Sequence, residues 1–243
     1  MHLIKLDAID STNDYLKELS KTEVLENFTT VTAENQTKGK GQMGAVWISE
    51  RGKNLIMSTL IKDLLNNAEQ VYHLNVVISI SIIQVLKEFN IPNLALKWPN
   101  DIMSDNNKIA GILIENRLKS DTNIESIVGI GLNVNQKDFD FIPNASSLTL
   151  IMNKDFELES LLQKIISKIK ENCELIISNK TEELWKLYHD FLFKKDKLTV
   201  FEDANKNIFK ATILSVTQDG RLEVILEDSS IKTFAIKEVK MKY

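Results

Sequence analysis

A chain of 243 residues and 27.7 kDa, 43% hydrophobic and 26% charged with a formal net charge of −4, has the composition of an ordinary globular protein. The mild negative balance provides no global basic field for nucleic acid, the single Cys173 excludes an intrachain disulfide framework, and no Cys/His cluster suggests zinc. No basic segment precedes a long apolar one at the N-terminus and no apolar run is expected to span a bilayer, so a cytoplasmic protein is expected.

Residues 2–8 predict a short strand. Asp10-Ser11-Thr12-Asn13-Asp14 then opens an amphipathic helix through Tyr15–Leu19. Ser11 suits an N-cap, with Asp14 in the first turn. The alternative is that Ser11, Thr12 and Asn13 offer hydroxyls and an amide to a polar ligand. Alternation over Thr29–Glu34 predicts a strand that delivers Gln36 to the segment Asn35–Ser58.

That segment is the focus of the chain. Gly39, Gly41 and Gly44 sit among Lys38, Lys40 and Gln42, ahead of Trp47. Glycine lets backbone approach a ligand, and successive N–H groups can cradle an anion. Arginine occurs only at positions 51, 117 and 221, so such a site relies on lysine point charges. The glycine spacing also spells a dinucleotide fingerprint. That motif needs a helix directly after it, and Ala45–Gly52 has no helical period.

Asn54–Ile61 predicts a buried strand. Apolar residues from Val71 to Phe89 recur at helical spacing and predict a helix over Glu69–Phe89, ended by Asn90-Ile91-Pro92-Asn93. His73 within it is read as structural. In Leu94–Ile102, Pro99 holds Trp98 out of ordinary pairing, so Lys97 and Asp101 flank a stiff corner. They form either a surface pair of little energy or a preorganised pair beside a site.

Ser104–Asn107 predicts a hairpin turn into the apolar strand Lys108–Glu115. Lys108 either snorkels to the edge or aims an ammonium at a bound anion. Over Ile127–Asn135 one face carries Val128, Ile130, Leu132 and Val134, and the other Gly129, Gly131, Asn133 and Asn135. The glycines mark either a ligand face, on which the two asparagines offer donors and acceptors to a base edge or ribose, or a glycine-rich crossing of two strands.

Asp155–Ser178 and Thr181–Phe193 predict helices, with Cys173 and His189 in packing roles. From Lys197 the pattern turns to period two over Lys197–Phe201, Ile208–Val216, Leu222–Glu227 and Ile231–Ile236, with Asp219-Gly220 as a hairpin turn.

Taken in order, Ser11-Thr12-Asn13, the glycine loop ending in Trp47, Gly52-x-Asn54-Leu55-x-x-Ser58, Lys97-Trp98-Pro99-Asn100-Asp101, Lys108-x-x-Gly111-Ile112-Leu113-x-Glu115 and Gly129-Ile130-Gly131-x-Asn133-Val134-Asn135 resemble the motifs of biotin protein ligases across essentially the whole chain. The resemblance implies an α+β, class II synthetase-like catalytic domain over 1–193, a mixed sheet flanked by helices. It also implies a small C-terminal SH3-like β-barrel over 194–243.

The implied reaction consumes ATP, with Mg²⁺ carried on its phosphates and no metal ligands from the chain. Biotin becomes biotinyl-5′-AMP and is then transferred to a lysine of the biotin carboxyl carrier protein of acetyl-CoA carboxylase. By the same resemblance Lys108 bridges the biotin carboxylate and the α-phosphate, Asp101 orients the incoming lysine, and Lys97 is the third catalytic residue. Ser11, Thr12 and Gln36 hydrogen-bond the ureido ring. Lys40 and Gly41 line the carboxylate and phosphate through backbone N–H groups, Trp47 packs on the ligand, and Asn133 meets the adenine edge. Asn13, Gly39, Gln42, Gly111, Gly129 and Gly131 complete the binding set.

Family members usually carry arginines where this chain has Lys40 and Gln42, and often a basic residue at Ala45. A less tightly held adenylate that leaks is therefore expected. Because the motifs begin at Ser11, no N-terminal helix-turn-helix is expected, and the chain should act as a ligase only. It is expected to be a monomer or weak homodimer without nucleic-acid or membrane partners. Lipoate–protein ligase, a non-enzymatic biotin sensor and a nicotinamide-linked oxidoreductase are the alternatives.

Overall fold

Two sheets organise the chain in a computed structural model that describes residues 2–65, 71–120, 123–140 and 142–243. The first contains β1 (Leu3–Ile9), β2 (Thr30–Gln36), β3 (Leu55–Leu65), β4 (Leu94–Lys97), β5 (Asp101–Ser104), β6 (Asn107–Ser120) and β7 (Asn123–Leu132). Its spatial order is β1-β2-β3-β7-β6-β5-β4. β1 and β2 run parallel and every other neighbouring pair is antiparallel, so the sheet is mixed. The parallel pair is joined by α1 (Thr12–Thr22), as a crossover requires.

The apolar run of β3 reflects its place in the middle of the sheet, where both faces are covered. On one face α1 closes a small core of Leu16, Leu25, Val31, Leu60 and Ile127. On the other, α2 (Val71–Glu88) and α4 (Leu158–Ile177) build the main core. The helix predicted from Glu69 is seen from Val71; residues 69 and 70 lie outside the described residues. Contrary to expectation, α2 is long and apolar enough to cross a membrane, but 67% of it is buried inside the protein. A helix apolar nearly all round has no wet face to spare and belongs to an interior.

The second sheet contains β8 (Leu198–Asp203), β9 (Ile208–Val216), β10 (Leu222–Leu226), β11 (Ile231–Phe234) and β12 (Val239–Lys242) in the order β11-β10-β9-β8-β12, entirely antiparallel. Such a sheet is consistent with the SH3-like module. α5 (Glu182–Asp190) lies beside it: His189 Nε2 is 2.9 Å from the Val216 carbonyl and 3.2 Å from its amide nitrogen.

Two short elements had no signal in the sequence reading: α3 (Leu148–Met152), capped by Ser147, and β12. The strand expected over Ile127–Asn135 ends at Leu132, because the Val134 N–H bonds the Asn54 side chain instead of a ladder partner.

Cys173 is buried on α4, and burial pushes its thiol up to about 12. Because the thiolate is the reactive form, the folded protein is expected to resist a maleimide at pH 8. Denaturation should expose one equivalent; rapid labelling of the native protein would contradict the placement.

A candidate ligand-binding site

A cavity of about 320 Å³ opens where α1 begins, between β6 and β7 and the glycine loop. Ser11 has extended backbone and accepts from the Asp14 N–H at 3.4 Å, so it caps α1 and also borders the cavity. Both readings of Ser11 coexist, since a cap side chain lies at the helix mouth. Gln36 enters at the end of β2, and its Oε1 accepts from the Thr12 N–H at 2.7 Å.

The glycine loop forms a miniature hairpin over the cavity. The Gly41 N–H donates to the Ala45 carbonyl at 2.7 Å and the Trp47 N–H to the Gly39 carbonyl at 2.9 Å. Its turn is a short 3₁₀ segment, Gln42–Gly44, not a long helix. Two ion pairs tie the loop to the start of α1: Lys38–Asp10 at 2.8 Å and Lys40–Asp14 at 2.6 Å, with Thr37 also on Asp10. Hydrogen bonds from Lys38 and Thr37 hold the Asp10 carboxyl below its ordinary range. Asp14 holds the Lys40 ammonium above its own.

The glycine face of β7 makes room for side chains of the chain itself. A Cβ on Gly129 would overlap Asn13 Oδ1, and one on Gly131 would come within 2.5 Å of the Trp47 ring. Asn13 is thereby buried against the sheet, while the Trp47 indole lies flat across the cavity floor near Gly111. Trp47 Nε1 is buried and has no hydrogen-bond partner among the described residues.

At the mouth, the Trp98–Pro99 peptide is cis and β4 and β5 pair Lys97 with Asp101. The closer partner of Asp101 is Lys108, with Nζ–Oδ1 at 2.6 Å against 3.7 Å for Lys97. Lys97 turns away, donating to the Tyr243 hydroxyl at 3.1 Å with its ammonium 4.6 Å from that ring. It borders a different cleft, of about 480 Å³, between the two sheets.

Of the residues to which the family resemblance assigns a catalytic or binding role, all but Lys97, Gly39 and Asn133 border the first cavity. Gly39 sits behind it, where a Cβ would meet the Trp47 carbonyl and the Gln36 amide. Asn133 is buried beyond the end of β7, and its side-chain amide donates to the Ser146 carbonyl at 3.0 Å. Residues without an assigned role also converge here. Ser58 is fully buried and bonds Thr12 and Asn13, Glu115 holds Asn13, and Ile236 reaches in from the second sheet. A serine inside the apolar β3 run was a signal for the first; nothing local could have announced Ile236.

A cavity lined by hydroxyls and amides, an indole, and lysines paired with carboxylates has the make-up of a small-ligand site, apolar walls with a few convergent polar groups. The chain belongs to the biotin/lipoate A/B protein ligase family, whose model matches residues 6–135. A biotin protein ligase from Aquifex aeolicus, solved with biotin and ATP, superimposes with a TM-score of 0.82 at 28% identity, covering 99% of this chain and 98% of that one. The bifunctional ligase/repressor BirA of Bacillus subtilis is 31% identical over 169 residues, 68% of this chain and 51% of its own length. Its counterpart from Salmonella typhimurium is 28% identical over 242 residues, 98% of this chain and 73% of its own length. The chain thus spans about half the length of the Bacillus relative.

Proposed function

We propose that this chain is an ATP-dependent biotin–protein ligase that makes biotinyl-5′-AMP and passes biotin to a lysine of the carboxyl carrier protein of acetyl-CoA carboxylase. The observation that carries the reading is Lys108, poised at the cavity mouth on Asp101 at 2.6 Å and across from the glycine loop. A carboxylate and a polyphosphate repel, and their approach needs a cation shared by both. In the first step a biotin carboxylate oxygen attacks the α-phosphate. The bond to the β-phosphate breaks and pyrophosphate leaves with the electron pair. In the second, a neutral lysine amine attacks the acyl carbon, AMP departs, and the amine loses its proton.

Lys108 bridges the two anions in this reading, and the hydroxyl and amide wall holds the ring at the inner end. The orphaned Trp47 Nε1 fits a bound ligand, since a buried donor left unpaired is costly and a ligand acceptor would satisfy it. Magnesium arrives on the ATP phosphates and supplies charge neutralisation there. Among the described residues no group of three or more His, Cys, Asp or Glu side chains could hold a metal.

Pyrophosphate exchange into ATP tests the reading: stimulation by biotin and not by lipoate supports it, and the reverse transfers the chain to the lipoate branch of the family. Labelling of a single lysine on the carrier protein tests the acceptor.

Gln42 borders the cavity without a charge to offer the phosphate. Gln42→Arg is therefore expected to retain the adenylate better, so that the unaltered chain biotinylates bystander proteins several-fold more than the variant. Streptavidin blots of both against an inert protein mixture measure this, and equal labelling would refute it.

A further inference from the structure

Tyr243 stands 146 residues from Lys97 in sequence and yet takes its ammonium. Three links bring it there. The Leu96 carbonyl accepts from the Phe193 N–H at 2.8 Å, which fastens the segment after α5 to β4. β12 pairs with β8 as far as Lys242, opposite Val200, and Tyr243 follows directly. The Phe193 and Tyr243 rings then meet edge to face with centres 5.4 Å apart, and the Lys194 ammonium lies 5.6 Å from the Tyr243 ring. The phenol held in this way offers Lys97 two attractions at once, its hydroxyl at 3.1 Å and its ring face at 4.6 Å.

The effect on Asp101 follows from the distances. Its Oδ1 is bonded by Lys108 at 2.6 Å. Its Oδ2 has Lys97 at 3.7 Å, within reach of an ion pair but beyond that of a hydrogen bond. Lys97 therefore lends the carboxylate a positive potential without occupying that oxygen. Among the described residues that line the ligand cavity, Asp101 alone carries a carboxylate. An acceptor lysine sheds a proton as it attacks, and a carboxylate oxygen at the mouth can receive it. An ammonium bonded directly to Oδ2 would first have to be displaced by a neutral amine, which is the weaker donor.

We propose that Tyr243 is a positioning residue for the transfer step: it holds Lys97 off Asp101 Oδ2 and so leaves that oxygen to the acceptor amine. As the amine nitrogen bonds the acyl carbon, Oδ2 takes its proton and AMP leaves with the electron pair of the acyl–oxygen bond. Tyr243 borders the second cleft and not the ligand cavity, and it acts through Lys97. The inference rests on the ligase reading above and extends it by giving the strand end of the second sheet a part in the second step alone.

Tyr243→Leu removes both the hydroxyl and the ring, and Lys97 can then close on Asp101. Transfer of biotin from the enzyme-bound adenylate to the carrier protein should slow about tenfold. Adenylate formation, followed as pyrophosphate release in a single turnover, should stay within about twofold, because the Lys108 contact with Oδ1 is untouched. Tyr243→Phe keeps the ring face for the ammonium and should lose no more than about threefold in transfer. Thermal midpoints establish that each variant is folded.

A mere packing role for Tyr243 would not depend on the residue at position 97. Tyr243→Leu is therefore repeated beside Lys97→Met, where no ammonium remains to close on Oδ2. Its added cost to transfer, measured against the Lys97→Met chain, should fall to within about twofold. Unslowed transfer in the Tyr243→Leu chain overturns the proposal. So does a loss shared equally by adenylate formation, or an equal added cost with lysine and with methionine at position 97. An unaltered chain that forms no biotin-dependent adenylate overturns the ligase reading, and this inference with it.

Discussion

Lys108→Met is expected to slow adenylate formation by about 10²–10³-fold while leaving biotin affinity within a few-fold, since a cation shared by two approaching anions matters most at the transition state. Methionine keeps the length and the apolar stem, which can still pack over Trp47, where the ammonium lies 5.8 Å from the ring centre. The charge and the N–H donors that reach Asp101 are removed. Asp101 then faces the cavity mouth without its closer counterion and adds a negative charge where the phosphates must come, so the loss should sit toward the upper end. Lys108→Arg keeps a charge but spreads it over a planar fork that does not fit the same point, and should recover the rate only in part. Single-turnover pyrophosphate release with saturating biotin and ATP, beside calorimetric titration of biotin, separates the two effects. A methionine variant with unaltered turnover would remove Lys108 from the reaction.

Where in the sequence this site could be read, and where it could not, follows from the range of the contacts. The place of Lys108 on the cavity was legible because a cation opening an apolar strand conflicts with its surroundings. The glycine alternation on β7 was legible as a close approach. What approaches was not: Asn13 and Trp47 arrive from segments far away in sequence, and no local pattern encodes their meeting. Lys97 was legible only in part: the pair with Asp101 forms at 3.7 Å, but the contact with Tyr243, at the far end of the chain, had no local signal. Asn133 continued an alternating face on paper, but β7 stops one residue before it and the side chain turns to Ser146. The sheets themselves were the most readable feature, because burial on two faces leaves continuous apolar runs and burial on one leaves alternation. Short capped elements such as α3 carry too few residues for either period to register.

The second large effect concerns a glycine outside the cavity. Gly220→Val is expected to lower the thermal midpoint by about 6–20 °C and to reduce the rate of adenylate formation with little change in the KM for biotin. Gly220 is the hairpin turn between β9 and β10 and has a φ of +85°, a conformation that costs a side-chain-bearing residue about 1–2 kcal/mol. Any Cβ there would also overlap the Tyr72 ring, adding roughly 1–3 kcal/mol of overpacking. Its carbonyl accepts the Trp98 indole N–H at 2.9 Å, and loss of that bond leaves a buried donor unpaired at about 1–3 kcal/mol. A partial sum of about 3–5 kcal/mol, after the turn relaxes, gives the midpoint range at ~2–4 °C per kcal/mol. The rate effect has a separate cause. Trp98 precedes Pro99, whose carbonyl accepts from Asn75 at 3.0 Å and lies 3.4 Å from the Tyr72 hydroxyl. Tyr72 and Trp98 therefore hold both the turn of the second sheet and the corner that presents Asp101 to Lys108. Displacing the turn moves the corner, and a misplaced Asp101–Lys108 pair is expected to slow adenylate formation without touching the hydroxyl and amide wall at the start of α1 and the end of β2. Scanning calorimetry and steady-state kinetics, the latter run well below the lowered midpoint, read the two consequences independently. An unchanged midpoint would deny that the turn is docked as described, and a lowered midpoint with an unchanged rate would show that the second sheet stabilises the corner without setting its geometry.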